Sequence, residues 1–155
     1  MRLIFACSLF VSFLFTAPSV SFSYQFDEFS WGMPRAESRE LLFEKGKTAI
    51  RQSGSSLFFA DTVFGKPCVV KLDFTPENLL LTTVSLQWKN AGIGSFIRDA
   101  YIKRYGPPSR KGKGLFSYRW VEKSDGNTFG DCISLDYSGK NVDLVFSQGG
   151  LEPYQ

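Results

Sequence analysis

Histidine is absent from this 155-residue chain, and its absence excludes several kinds of active site. Ser-His-Asp and Cys-His catalysis, imidazole acid–base chemistry and histidine-containing zinc sites all need that side chain. Cysteine is scarce as well, with three in the chain and no Cys-x-x-Cys spacing, so neither a redox dithiol motif nor a cysteine-rich zinc cage is present. The sequence also lacks the glycine-rich signatures of nucleotide-binding loops and of α/β-hydrolases. We therefore expect no metal, no cofactor and no catalytic residue.

An excess of one charge sign is missing too. The chain carries 18 basic and 15 acidic residues, a formal net charge of +3, which is too balanced to predict a nucleic-acid partner. What it does have is apolar content: 43% of the residues are hydrophobic and 16% are aromatic. That is enough to fill the core of one ordinary domain, so disorder is excluded as a class.

The first 23 residues have the pattern of a secretory signal peptide. Arg2 is followed by an apolar run over residues 3–15, and small residues follow before Tyr24. The run is about half the length that a membrane-spanning helix needs. We expect cleavage after Ser23 or Ser21 and a periplasmic or secreted protein with no membrane span, an uncleaved anchor being the alternative. Cys7 lies inside the apolar run, too early for lipid attachment.

The remaining chain, residues 24–155, is predicted to form one domain with two similar halves. Hydrophobic periodicity and turn residues predict a helix over 34–45, strands over 57–63, 68–74 and 80–88, a second helix over 95–105, and strands over 115–122, 132–137 and 142–147. The segments PCVVKLDF and DCISLDYS fall at matching places in the two halves, about 31–90 and 91–150. The predicted class is α+β, with two tandem helix-plus-three-antiparallel-strand units whose helices pack on one face of the sheet.

Turn and core residues carry a family resemblance. They are Trp31-Gly32 before the first helix, Phe64 to Pro67 entering a strand, Tyr105 to Pro108 closing the second helix, and Trp120 in the strand that follows. In these elements the chain resembles small exported bacterial proteins of the β-lactamase-inhibitor-protein fold and the SmpA/OmlA type of outer-membrane-assembly lipoproteins. The chain departs from them in having no lipid-attachment cysteine and too few cysteines for paired disulfides. The resemblance implies a binding scaffold and transfers no functional residue.

The two cysteines beyond the signal, Cys68 and Cys132, leave three alternatives open. An exported protein can form a disulfide between them. Against this, Cys68 shares a strand face with Val70 and Leu72, whereas Cys132 is out of phase with Ile133 and Leu135. A shift of one residue reverses a strand's face, so the phase favours two separate thiols. A catalytic cysteine is the third alternative, and no histidine is present to activate it.

A basic run precedes the aromatic strand of the second half. Lys103 begins the run, and an alternating Phe116, Tyr118 and Trp120 follow it. Basic and aromatic residues together suit an anionic partner, so we take as the candidate binding surface Arg104, Arg110, Lys111, Lys113 and Trp120. The alternative is a solvated loop beside a strand whose aromatics face the core.

Acidic residues suggest little chemistry. Asp73 and Asp136 match across the repeat but lie on the polar phase of their strands, where a solvated carboxylate is expected. The segment DGNTFGD, residues 125–131, lacks the ligand spacing of an EF-hand loop.

Three functions remain. The first is a non-catalytic, exported protein-interaction module whose partner is an envelope protein or an anionic envelope component. The second is a carrier of a small apolar ligand or lipid, in a pocket lined by Phe116, Trp120 and Trp88. The third is an enzyme of unknown type.

Overall fold

The computed structural model describes residues 26–90, 92–111, 116–121, 130–138 and 140–149. For Arg110, Lys111 and Ser138 it describes the backbone only. The predicted signal peptide and Lys113 lie outside this part of the chain.

Two helices and eight strands make up the described fold. In chain order they are α1 (Arg35–Glu44), β1 (Arg51–Ser53), β2 (Ser56–Val63), β3 (Lys66–Phe74), β4 (Leu81–Trp88), α2 (Ile93–Tyr105), β5 (Arg110–Lys111), β6 (Ser117–Val121), β7 (Cys132–Ser138) and β8 (Asn141–Ser147). The strands join in one antiparallel sheet of order β1-β2-β3-β4-β8-β7-β6-β5. The last strand of each half therefore lies at the centre of the sheet.

The predicted class, α+β with two tandem helix-plus-three-strand units, is wrong. Each helix precedes four strands, and of the described residues only 21% are helical whereas 47% are extended, which makes a mostly-β fold. The six predicted strands match observed strands to within two residues, but β1 and β5 were missed. Both are short and polar, and they become strands only by pairing with β2 and β6. Hydrophobic alternation has no means of detecting such strands.

One face of the sheet, called the inner face here, carries the core. A single cross-strand row shows its character, because every member is at most 4% exposed: Leu57, Leu72, Val84, Phe146, Ile133 and Trp120. Burying each such side chain contributes about 1.5–3 kcal/mol. The opposite, outer face carries mainly Ser, Thr and charged residues, among them Lys71, Asp73, Ser85 and Asp143.

Both helices contact the inner face. Leu42 of α1 is buried in the core, and α2 places Tyr101 against Phe146 and Trp120 with ring centroids 6.3 and 5.7 Å apart. α1 starts after Pro34 and ends at Gly46, where the amides of Gly46 and Lys47 donate to the carbonyls of Phe43 and Leu42. Gly46 supplies the positive φ that this type of helix end requires.

Candidate functional site

Two residues of the predicted basic and aromatic surface, Arg104 and Trp120, have described side chains, and they differ in exposure. Arg104 is exposed in the last turn of α2, with its guanidinium 5.2 Å from the Tyr105 ring centre. Arg110 and Lys111 form β5, and Lys113 lies outside the described residues. Trp120 is 1% exposed and donates its indole N–H to the carbonyl of Gly106 at 2.9 Å. Trp120 therefore belongs to the core. Its position in β6, opposite Ile133 of β7, directs its side chain to the inner face of the sheet.

Cys68 and Cys132 are both buried and are not joined by a disulfide, and they lie on opposite faces of the sheet. β4 and β8 separate their strands, and three strand spacings across the sheet place them at least about 14 Å apart. A disulfide needs Cα atoms within about 7 Å. Burial, aided by the charge of Asp61, raises the pKa of the Cys68 thiol to about 11, so the thiol is protonated at neutral pH.

The carboxylates of Asp73 and Asp136 are also held apart. Both lie on the outer face, on β3 and β7, and three strand spacings again place them at least about 14 Å apart, which is too far for a glycosidase pair. Asp73 accepts a hydrogen bond from Ser56 and pairs with Lys71 at 2.9 Å. Within the described ranges, no three His, Cys, Asp or Glu side chains group as metal ligands would. Residues 125–129 of the DGNTFGD segment lie outside those ranges.

An exposed aromatic pair is the feature that sequence reasoning missed. Phe64, at the tip of the β2–β3 hairpin, is 40% exposed, and Phe96 of α2 is 58% exposed. Their rings meet edge to face at 5.8 Å, and Phe64 also lies 6.4 Å from Trp88 and 6.5 Å from Tyr101. We call Phe64 and Phe96 the aromatic patch. It joins two elements that are far apart in sequence, so no local pattern reveals it.

The hairpin holds Phe64 in an unfavourable conformation. Phe64 and Gly65 form a two-residue turn with φ of +54° and +69°, the geometry of a type I′ turn. Asn, Asp or Gly normally take the first of these positions, and a bulky residue with positive φ is rare. The one available signal was Phe-Gly where Asn-Gly is usual. Backbone strain of this kind costs about 1–3 kcal/mol and tends to occur at functional sites.

The charges near the patch are mostly basic. Lys66 follows Phe64 by two residues, Lys89 follows Trp88, and Lys103 lies two helical turns beyond Phe96. These three lysines are exposed, and none has a carboxylate within 4 Å in the described part of the chain. The nearby acids are neutralised, since Asp61 pairs with Lys47 at 2.6 Å and Asp99 pairs with Arg98 at 2.7 Å.

The buried floor of the patch contains an unsatisfied donor. Trp88 is 1% exposed, and its indole N–H has no hydrogen-bond partner among the described residues. A buried donor without a hydrogen-bond partner lowers the free energy of unfolding by about 1–3 kcal/mol. Such donors are rare in folded proteins, so this one marks the floor of the patch as unusual.

The other side of α2 carries an aromatic stack, in which Phe116 is 43% exposed. Phe116, Tyr137 and Tyr118 lie nearly parallel, with centroids 5.0 and 6.0 Å apart. Arg98 donates to the Tyr137 hydroxyl at 3.3 Å, and burial raises the pKa of Tyr137. Gly94 fits against the Tyr137 ring with no room for a side chain. This region fixes the position of α2, and hence of Phe96.

Neither described helix is long and apolar enough to cross a membrane. No protein-family model matches the chain, and the searches of curated proteins and of solved structures gave no match. The resemblance to inhibitor-type and SmpA/OmlA-type scaffolds stays a prediction that depends on turn and core residues.

Proposed function

We propose that this is an exported, non-catalytic protein of the bacterial envelope that binds a partner protein through the aromatic patch. The export part depends on the signal-like residues 1–23. The binding part is carried by one observation: Phe64 occupies a turn position that disfavours it, and its ring is partly exposed beside that of Phe96.

The energetics of the hairpin support a role beyond folding. An Asn-Gly turn would make the same connection without the strain of about 1–3 kcal/mol. Packing of Phe64 on Trp88 and Tyr101 offsets part of that cost, but Phe96 is more than half exposed and gains little from the fold. Exposed aromatic residues that meet in this way are typical of protein-binding surfaces.

The lysines indicate the chemistry of the partner. Lys66, Lys89 and Lys103 are exposed and follow Phe64, Trp88 and Phe96 by two, one and seven residues, so we expect a complementary surface to have an apolar cleft with an acidic rim. Such a rim would mainly accelerate association and fix orientation, whereas the two phenylalanines would supply most of the affinity.

The carrier alternative has less support. Trp88 and Trp120 are each 1% exposed and packed against other rings, including Phe64 and Tyr101. Two surface pockets lined by described residues, about 480 and 320 Å³, flank α1 and involve neither tryptophan.

The proposal is tested by capture from envelope extract with the mature protein and two variants. Phe96→Gln removes the more exposed ring and keeps a good helix former. Val69→Thr is the control, because Val69 is 43% exposed on the outer face. We expect one protein, identified by mass spectrometry, to be captured by the wild type and Val69→Thr and lost with Phe96→Gln. Equal capture by all three would contradict the proposal.

Export has its own test, N-terminal sequencing of the protein recovered from the envelope or the medium. We expect a start at residue 24 or 22, and a start at Met1 would contradict export.

A further inference from the structure

A groove of about 480 Å³ lies between α1 and the β1–β2 hairpin, remote in sequence from the aromatic patch. Its walls include Arg35, Arg39 and Phe43 of α1, Gln52 of β1, Leu57 of β2, and Leu79. Leu57 is fully buried and Phe43 is 49% exposed, so an apolar floor leads to an apolar edge. The groove thus offers apolar contacts from its floor to its edge.

β1 offers an open hydrogen-bonding edge beside the groove. It is the terminal strand of the described sheet, and all three of its residues are exposed. Ser53 and Ser56 close a two-residue turn, so they form the hydrogen-bonded pair of the ladder. The next pair, Gln52 and Leu57, is then non-hydrogen-bonded, and the backbone N–H and C=O of Gln52 point away from β2. A further strand can bond to them.

The backbone of the groove is strained at Leu79. Its φ is +56°, a left-handed conformation that a leucine rarely adopts. The carbonyl of Leu79 accepts the amide of Arg35, the first residue of α1, at 2.9 Å. This hydrogen bond connects the start of α1, and with it Arg35 and Arg39, to the strained residue beside the groove.

Arginines dominate the charge at this edge. Arg35 donates to the carbonyl of Gly54 at 3.2 Å, Arg39 lies 5.5 Å from the Phe43 ring centre, and Arg51 lies 5.1 Å from that of Phe58. None of the three has a carboxylate within 4 Å in the described ranges. The groove lining contains a single acid, Glu40. The groove and its edge strand are thus net positive.

We propose that β1 and this groove bind an extended, acidic peptide segment of a partner protein, which adds to the sheet as a strand next to β1. The peptide backbone bonds to Gln52, and its apolar side chains enter the groove over Leu57 and Leu79. Its carboxylates alternate with them and lie on the outer face, where they meet Arg51 beside Phe58. Strand addition of this kind takes its affinity from main-chain hydrogen bonds and its specificity from alternate side chains. The site is independent of the aromatic patch.

The probe is a fluorescein-labelled seven-residue peptide of alternating Glu and Val, titrated with the mature protein and followed by fluorescence anisotropy. We expect a saturable rise with this peptide and none with a matched Lys-Val peptide. A Glu-Val peptide with alternate amides N-methylated keeps the charge but cannot form the ladder, so we expect it to bind at least about tenfold more weakly. This comparison requires no change to the protein.

Protein variants assign the site. Gln52→Pro removes the outward N–H and leaves the flanking hydrogen-bonded pairs of the hairpin, as proline is tolerated on edge strands. Arg51→Glu reverses a charge on the outer face of β1, and Arg104→Glu makes the same change on α2. We expect the first two to weaken binding at least about tenfold and Arg104→Glu and Phe96→Gln to leave it unchanged.

Three results would overturn the proposal. They are no saturation up to about 1 mM Glu-Val peptide, equal binding of the N-methylated peptide, and equal weakening by Arg51→Glu and Arg104→Glu. The last would show attraction by overall charge only. Because Phe96→Gln leaves the groove intact, failure here is distinguishable from failure of the aromatic patch.

Discussion

Replacing Gly94 with alanine should destabilise the protein, although alanine is the better helix former. Gly94 is buried in the first turn of α2. A Cβ added there would lie 2.4 Å from Cγ, 2.7 Å from Cβ and 2.8 Å from Cδ1 of Tyr137. Carbon atoms in favourable contact are about 3.5–4.0 Å apart. Because the Tyr137 Cβ is fixed to β7, the ring cannot simply rotate away, and α2 or the strand must move by about 1 Å.

The sign of the effect follows from two magnitudes. Gly→Ala inside a helix stabilises by about 0.5–1 kcal/mol when space is available. Overpacking in a filled site costs about 1–3 kcal/mol, and here it also disturbs the bond from Arg98 to the Tyr137 hydroxyl. We therefore expect the free energy of unfolding to fall by about 1–2 kcal/mol, which lowers Tm by roughly 3–8 °C for a domain of this size.

The assay is urea unfolding of the mature protein, followed by tryptophan fluorescence. Gly92→Ala is the matched control: φ at Gly92 is −63°, and a Cβ there meets only the Asn90 side-chain oxygen at 3.2 Å. We expect its effect to stay within about 0.5 kcal/mol. In a Tyr137→Ala background, where two of the three close contacts are gone, Gly94→Ala should cost clearly less. A Gly94→Ala protein as stable as the wild type would refute the reasoning.

Three further predictions follow from the described contacts. Phe64→Asn should leave the free energy of unfolding, measured in urea, within about 1 kcal/mol of the wild-type value while partner capture is lost, because the relief of strain offsets the lost ring packing. A large loss of stability would mean that the ring serves the fold. The Cys68 thiol has a pKa raised to about 11 in the folded protein, whereas a cysteine thiol in the unfolded chain has a pKa of about 8.5. The folded state therefore holds more protons between these pH values, and the free energy of unfolding should fall by about 2 kcal/mol from pH 9 to 11. Cys68→Ala should lack this decrease, and an identical pH profile for both proteins would contradict the prediction. Trp31→Phe removes a 2.7 Å hydrogen bond to Asp131 and should cost about 1–3 kcal/mol in urea unfolding, so an unchanged midpoint would show that this bond is dispensable.

Local chemistry made the larger strands predictable, and tertiary pairing produced the rest. Leu80 to Trp88 alternates apolar and polar residues, so its strand is visible in the sequence, and Gly106-Pro107 marks the end of α2. The three residues of β1 carry no apolar pattern and extend only because a tight turn pairs them with β2. Because such strands have no sequence signal, the prediction had three strands in each half where the structure has four, and its fold class was wrong.

The candidate sites were harder to predict than the strands. Trp120 and its neighbours were conspicuous as aromatics beside basic residues, yet the alternation that makes β6 a strand also buries Trp120. The sequence around Phe64 indicates only a turn, because the exposed aromatic pair also needs Phe96, which is 32 positions later in the sequence. Contacts between a hairpin tip and a distant helix are set by topology, which hydrophobic periodicity does not encode.

The central claim, that the aromatic patch is a protein-binding surface, is tested most directly by site-specific photo-cross-linking in the envelope of the producing cell. A benzoylphenylalanine placed at position 96 keeps an aromatic ring in the patch, and the same residue at position 69 samples the outer face. We predict a discrete, heavier cross-linked protein from position 96 and none from position 69. No cross-link from position 96, or the same products from both positions, would contradict the account.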